Sequence, residues 1–143
     1  MTTRTKRSTL LLASLLILST ALAACAPSGG GGGQATAVKV TLTDFKIESS
    51  LTTFSVGVPY HFTIVNNGSV AHEFVIMPPA DPASAAAARA KAVLVVAEND
   101  LQAGATKTVD YTFTTAAPDG TLEMACHITG HYEAGMHLPI VVK

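Results

Sequence analysis

The side chains best suited to chemistry in this 143-residue chain lie near its C-terminus, in the segment MACHITGHYEAGMHLPIVV. Cys126, His131 and Met136 follow one another at intervals of five residues. They fall between two segments of alternating hydrophobicity, so one loop between two strands can direct a thiolate, an imidazole and a thioether toward a common point. His72 is the best placed fourth donor, because it follows a turn and shares an inward strand face with Phe74. Together they form a candidate metal site.

Each of these residues alone also fits an ordinary structural role. Met136 can be core packing, His72 a hydrogen-bonded core imidazole, and Cys126 an inert buried thiol. A lone Cys-x4-His pair also fits a zinc site. The combination of four donors in a strand-rich chain is what favours a metal site.

Alternating hydrophobicity predicts the strands that position these residues. Phe45 and Ile47 continue the first alternation one residue out of step, which predicts a bulge near Thr43-Asp44. The second alternation is expected to bend or break at Gly57 or Pro59. Short strands at this spacing predict an all-β antiparallel sandwich of seven to eight strands. The alternating segments are Val38–Leu42, Phe54–Ile64, His72–Ile76, Val109–Phe113, Leu122–Cys126 and Leu138–Val142.

One segment departs from the strand pattern. Asp81 is a capping residue, Pro82 suits a first helical position, and a run of alanines ending at Arg89 follows. This pattern predicts one short inserted helix from about Pro82 to Ala92.

The N-terminal segment has the features of an export signal. Basic residues within the first seven positions precede the apolar run LLLASLLIL, and small residues lead to Cys25. Leu22-Ala23-Ala24-Cys25 resembles the lipobox of bacterial lipoprotein precursors, in which the cysteine sulfur is lipidated. The alternative is an ordinary signal peptide with a chance cysteine. We therefore expect a signal peptide at 1–24, a lipidated Cys25 with a glycine-rich tether at 25–35, and one folded domain at 36–143.

Charge and cysteine count narrow the class of protein. Removing residues 1–24 lowers Lys+Arg from nine to six against ten Asp+Glu, a net charge of −4. A mildly acidic body without a basic cluster argues against nucleic-acid binding. With Cys25 lipidated, Cys126 has no partner within the chain, so it pairs between chains, stays a reactive thiol or serves as a ligand.

The motif resembles the cupredoxins, the family of plastocyanin, azurin and auracyanin. The resemblance rests on His72 in AHEFVI and on Cys126-x4-His131-x4-Met136, and it covers about Val38–Lys143. It implies a Greek-key sandwich with one type 1 (blue) copper near one end. His72, His131 and Cys126 would bind in a plane, and Met136 would be the weak axial ligand. Thiolate and thioether suit Cu(I), and imidazole suits both oxidation states.

The sequence departs from the best-known cupredoxins beside the first histidine. Plastocyanin and azurin have Asn there, which connects the two ligand loops by hydrogen bonds. This chain has Glu73 instead, so the hydrogen bonding around the ligands is in question.

Three histidines lie outside the candidate ligand set. His127 follows Cys126, as in copper enzymes whose neighbouring histidine reaches a second copper, but Ala125 breaks the His-Cys-His pattern. We expect His61 and His137 at the surface. The Ala71 carbonyl could approach the metal axially.

The resemblance implies a one-electron carrier that exchanges electrons with a donor and an acceptor redox protein. The lipid would anchor it as a monomer to the outer face of a bacterial membrane, in a periplasmic or other extracytoplasmic space. The expected docking rim around His131 comprises Pro78, Pro79, Ala134, Gly135 and Pro139. The alternative is copper storage or delivery, although the mature chain lacks Met- or His-rich tracts. An enzyme is not expected, because the protein fills the coordination sphere.

Overall fold

The computed structural model describes residues 33–81 and 83–143, so the predicted signal peptide, Cys25 and most of the tether lie outside it. The described elements, in chain order, are β1 (Thr36–Thr43), β2 (Lys46–Ser49), β3 (Thr53–Phe54), β4 (Pro59–Asn66), β5 (Phe74–Met77), helix α1 (Ala85–Arg89), β6 (Leu94–Val96), a 3-10 turn (Glu98–Asp100), β7 (Thr106–Thr112), β8 (Ala117–Ala125) and β9 (His137–Val142).

The strands form two sheets. One has the order β2-β1-β4-β7 and the other β3-β9-β8-β5-β6. Neighbouring strands are antiparallel except for β1 with β4 and β3 with β9, which run parallel. This confirms the all-β sandwich with one short helix. The described residues contain nine strands rather than seven or eight, because β3 and β6 are segments of only two and three residues.

Aromatic side chains fill the space between the two sheets. Phe54, Phe62, Phe74 and Phe113 are almost completely buried, and the Phe54 and Phe113 ring centroids lie 5.0 Å apart. In β4 every second residue is buried, from Tyr60 to Asn66. Burial of each large side chain contributes roughly 1.5–3 kcal/mol, so this core holds the strand ends in a fixed arrangement.

Strand β5 is buried on both faces. On its outer face, Val75 and Met77 pack with Ala80 and Ala125 beneath Ala88, Ala92 and Tyr132. The inserted segment that contains α1 therefore covers the outer face of the sheet beside the residues that bear the ligands.

The helix is shorter than the predicted span of Pro82 to Ala92. It covers Ala85–Arg89, and Ser84 is its N-cap residue. Asp81 Oδ1 accepts hydrogen bonds from the Ser84 amide and hydroxyl, both 2.8 Å, so Asp81 stabilises the turn before the helix. Within the two described ranges, no helix is long and apolar enough to cross a membrane.

The predicted bulge near Thr43-Asp44 is wrong. β1 and β2 form a tight hairpin in which Thr43 pairs with Lys46, and Asp44 and Phe45 make the connection. The hydrophobic pattern shifts by one residue because the chain reverses there. Phe45 has a φ of 65°, in the left-handed region that residues other than glycine rarely adopt. The expected break between β3 and β4 is confirmed, with Gly57 at a φ of 77°.

Candidate metal centre

Strand pairing gathers the four predicted ligands at one end of the sandwich. Val75 pairs with Ala125 and Ala125 pairs with His137. This pairing places three of the ligands side by side. His72 lies two residues before β5, Cys126 directly follows β8, and Met136 directly precedes β9. His131 lies in the loop between β8 and β9.

Three donor atoms face one another across a small space. His72 Nδ1 lies 3.1 Å from His131 Nδ1 and 4.0 Å from Cys126 Sγ. The distance from Cys126 Sγ to His131 Nδ1 is 3.4 Å. Among the described residues this is the only group of three or more His, Cys, Asp or Glu side chains whose donor atoms come this close together.

Backbone hydrogen bonds hold Met136 against this group. The Cys126 amide donates to the Met136 carbonyl at 3.1 Å, and the Met136 amide donates to the His131 carbonyl at 3.0 Å. The Met136 side chain is completely buried in the same core cluster as Cys126. The ligand loop therefore folds back on itself and brings its first and last predicted ligands together.

Burial keeps the histidine and the cysteine in their uncharged forms. It is the main cause that lowers the pKa of His72; the His131 ring adds to the effect and the Asp44 carboxylate opposes it. Burial likewise raises the pKa of Cys126, against backbone hydrogen bonds from Glu73 and Ile128. A buried neutral imidazole keeps a lone pair available, and a cation at the site would offset the cost of a buried thiolate. Two imidazoles, a thiolate and a thioether are the donor set that fits copper.

Glu73 connects the two ligand-bearing segments by a hydrogen bond, a role that the sequence alone left open. Glu73 is only 8% exposed, and its Oε1 accepts the His127 amide hydrogen at 3.0 Å. Oε2 lies 2.5 Å from Arg89 Nη1 on helix α1. The carboxylate thus connects the segment after His72 to the segment after Cys126, and the inserted helix supplies its countercharge. This role of Arg89 was not predicted from the sequence.

The other histidines lie outside the cluster. The His127 ring stacks on Tyr132 at 4.3 Å, and Tyr132 in turn stacks on His137 at 4.6 Å. His137 Nδ1 lies 3.2 Å from Glu123, and His61 Nδ1 lies 2.5 Å from Asp110. Both His61 and His137 are partly exposed, as expected. Burial, with a hydrogen bond to Glu123, raises the pKa of Tyr132 to about 12.

Phe45 covers the edge of His131. The two rings meet edge to face, with centroids 5.4 Å apart and planes at 88°. His131 is 9% exposed, whereas Phe45 is 49% exposed in its left-handed turn position. Strained backbone of this kind persists where surrounding contacts hold it, and it is frequent at functional sites. In the sequence, Phe45 is an apolar residue at the point where the hydrophobic alternation shifts by one residue.

We predict that Phe45→Gly opens the site without unfolding the domain. Glycine relieves left-handed strain of about 1 kcal/mol, which offsets an aromatic contact worth roughly 0.5–1.5 kcal/mol. Urea unfolding should therefore change by less than about 1 kcal/mol, while a chelator should remove Cu(I) several-fold faster. Val56→Ala, at another exposed apolar residue, is the control. Equal removal rates in both variants would show that Phe45 does not shield His131.

Comparison with known proteins agrees with this geometry. No family model matches the chain. The chain is 32% identical to the copper-resistant cuproprotein CopI of Rubrivivax gelatinosus, in an alignment of 117 residues that covers 74% of this chain. The chain spans 66% of that relative's length, just under two thirds.

Solved structures show the fold. A dithionite-reduced auracyanin from Roseiflexus castenholzii matches with a TM-score of 0.57 at 17% identity, over 78% of this chain and 99% of that one. Auracyanin B matches with a TM-score of 0.58 at 22% identity, over 76% and 89%. An azurin from Methylomonas sp. strain J gives 0.56 at 15% identity, over 77% and 99%. The fold of this chain is that of the cupredoxins.

Proposed function

We propose that this chain, which has the cupredoxin fold, holds one type 1 copper ion and carries single electrons between redox partners. The observation that carries the proposal is the buried group of His72 Nδ1, Cys126 Sγ and His131 Nδ1, separated by 3.1–4.0 Å, with Met136 fixed beside them. Bound copper would supply the one-electron couple between Cu(I) and Cu(II).

The protein contributes a rigid and enclosed site. His72, Cys126 and Met136 are completely buried, and the strands that carry them are packed on the aromatic core. A donor set acceptable to both oxidation states, held by β-structure, needs little rearrangement when an electron arrives or leaves. The burial of these three ligands supports a carrier rather than an enzyme that binds a substrate at the metal.

His131 is the proposed exit for the electron. It is the most exposed of the four ligands, and it lies in the loop rather than at a strand end. Of the residues expected around it, Pro79, Ala134, Gly135 and Pro139 are exposed and Pro78 is half-buried. We add Phe45 to this docking rim, because its exposed ring contacts His131 directly. An apolar rim allows brief docking of a donor or acceptor protein.

Export and anchoring extend the proposal to the N-terminus. We propose that the lipid on Cys25 anchors a monomeric domain to the outer face of a bacterial membrane through the glycine-rich tether at 25–35. This rests on the sequence alone, on the lipobox-like Leu22-Ala23-Ala24-Cys25 and the five consecutive glycines. Anchoring would raise the local concentration of the domain near membrane-bound partners.

Copper handling is the second candidate, and one comparison favours it. The relative from Rubrivivax gelatinosus is described as a copper-resistant cuproprotein. A protein that stores or delivers copper must release the ion to an acceptor, whereas a carrier retains it through many turnovers. The enclosed ligands support retention.

Retention of copper during turnover separates these two functions. The purified copper form should give a reversible one-electron voltammogram over repeated cycles. In the presence of a competing chelator, the protein should keep its Cu(I) for longer than the duration of many such cycles. Loss of Cu(I) within the time of a few cycles would instead favour delivery.

We predict that Met136→Gln keeps the colour of the copper form and lowers its reduction potential. A harder axial oxygen stabilises Cu(II) relative to Cu(I). The expected shift is about 60 mV or more, since a tenfold change in the equilibrium corresponds to about 59 mV for one electron. Val56→Gln, at an exposed apolar residue, is the control. An unchanged potential in Met136→Gln would argue against axial ligation.

A further inference from the structure

The outer nitrogen of His72 is buried without a partner. Nδ1 points at the other donors, while Nε2 has no hydrogen-bond partner among the described residues. A histidine that binds a metal through Nδ1 carries its hydrogen on Nε2, and a buried N–H without an acceptor is unfavourable because it has lost its hydrogen bond to water. The site therefore needs an acceptor on this side of the ring.

The Asp44 carboxylate lies near this nitrogen. Its Oδ1 lies 3.8 Å from His72 Nε2. The carboxylate follows β1 in the tight turn, and Ser69 holds it with an amide hydrogen bond of 2.9 Å and a hydroxyl hydrogen bond of 2.7 Å. These bonds lower the pKa of Asp44, which keeps it charged. The distance of 3.8 Å is longer than a hydrogen bond, so the carboxylate must shift toward the ring for Oδ1 to accept from Nε2.

The chain leaves a space for this approach at Gly68. A Cβ built there would lie 2.5 Å from Asp44 Oδ1 and 2.8 Å from His72 Nε2. Only glycine therefore lets the two groups approach each other. The neighbouring Asn66 is already engaged, because its amide donates to Val70 and Leu101 and its oxygen accepts from Gly68.

We propose that Asp44 is a positioning residue for the metal centre, whose carboxylate accepts the Nε2 hydrogen of His72. The proposal rests on the proposed function, in which His72 is a ligand through Nδ1. A carboxylate on the outer nitrogen fixes the tautomer and the orientation of the ring, and it makes the ligand nitrogen a stronger donor. This favours the more highly charged Cu(II), so Asp44 holds the reduction potential down.

The same turn then supports both histidine ligands. Asp44 faces His72, and the next residue, Phe45, packs on His131. The left-handed backbone of Phe45 directs these two consecutive side chains at the two rings. The β1–β2 hairpin would thus act as an outer support for the site, although it supplies no ligand itself.

Asp44→Asn tests the proposal on the full copper-binding protein. The variant removes the charge at nearly unchanged size, and it should weaken Cu(II) binding about 10- to 100-fold. If Cu(I) binding is unchanged, the reduction potential rises by about 59 mV for each tenfold loss. In the Cu(I) form, NMR should show faster solvent exchange of the His72 Nε2 hydrogen. Ser69→Ala, which only loosens the carboxylate, should give a smaller shift in the same direction.

Asp110→Asn is the matched control. Asp110 also faces a histidine, since it lies 2.5 Å from His61. That pair lies beside Ala37 at the start of β1, whereas Asp44 follows the end of β1. Removing this charge should leave the potential and the His72 hydrogen unchanged. If Asp44→Asn matches Asp110→Asn in both measurements, the proposal is overturned. If the unaltered protein fails to give an intensely coloured copper form, the proposed function fails instead.

Discussion

Replacing Cys126 by serine is expected to abolish the intense visible colour of the copper form. That colour arises from charge transfer between a thiolate and Cu(II), and Cys126 Sγ is the sulfur that lies 3.4 Å and 4.0 Å from the two histidine nitrogens. A serine hydroxyl does not ionise at neutral pH and is a poor ligand for Cu(I). The loss of the band should therefore be complete, even where some Cu(II) still binds to the histidines.

Cys25→Ser is the matched control for this variant. It removes the only other cysteine of the chain, and it should leave the visible band intact while abolishing membrane association. The two spectra are compared at equal copper and protein concentration. A Cys126→Ser protein that keeps the intense band would show that Cys126 is not the ligand responsible.

Replacing Glu73 by alanine is expected to weaken both the metal site and the fold. The change removes the acceptor of the His127 amide and leaves that amide, part-buried beside Cys126, without its partner. Loss of a hydrogen bond to a charged group costs about 1.5–3 kcal/mol. Outer-shell partners of ligands typically account for 10- to 100-fold in metal affinity. Denaturant unfolding of the metal-free protein and competition for Cu(II) measure the two effects.

Conservative variants separate the contributions of the hydrogen bond and the charge. Glu73→Gln keeps an acceptor for the His127 amide, so it should retain most of the metal affinity. Arg89→Gln removes the countercharge, and it should destabilise the fold by less than Glu73→Ala because Arg89 is 37% exposed. If Glu73→Gln were as damaging as Glu73→Ala, the charge rather than the tie between the loops would be the essential feature.

The parts of the site that follow from local pattern were predictable from sequence. Alternating hydrophobicity predicted His72 at the start of one strand and Cys126 at the end of another, and the structure places them just outside β5 and β8. The spacing of five predicted His131 and Met136 in one connecting loop. The alternation predicted through Phe62 and Ile64 agrees with the alternating burial of β4. These inferences depend only on strand periodicity, which burial enforces.

The supports around the ligands depend on contacts between distant segments. Glu73 meets Arg89 only because α1 packs over the outer face of β5, and no periodicity predicts that packing. Asp44 lies near His72 because a tight turn stands where a bulge was expected. A bulge and a tight turn both produce a one-residue shift in the hydrophobic pattern, so the sequence does not distinguish them. The helix began three residues late because Asp81 bonds to Ser84 in a turn of its own.

The most direct test of the central claim is a titration of the purified, metal-free chain with Cu(II), followed by visible and electron paramagnetic resonance spectroscopy. The arrangement of His72, Cys126, His131 and Met136 predicts one copper ion per chain, an intense absorption in the red part of the spectrum, and the narrow copper hyperfine splitting of a type 1 site. A colourless or pale protein with the wide splitting of ordinary Cu(II) would contradict it.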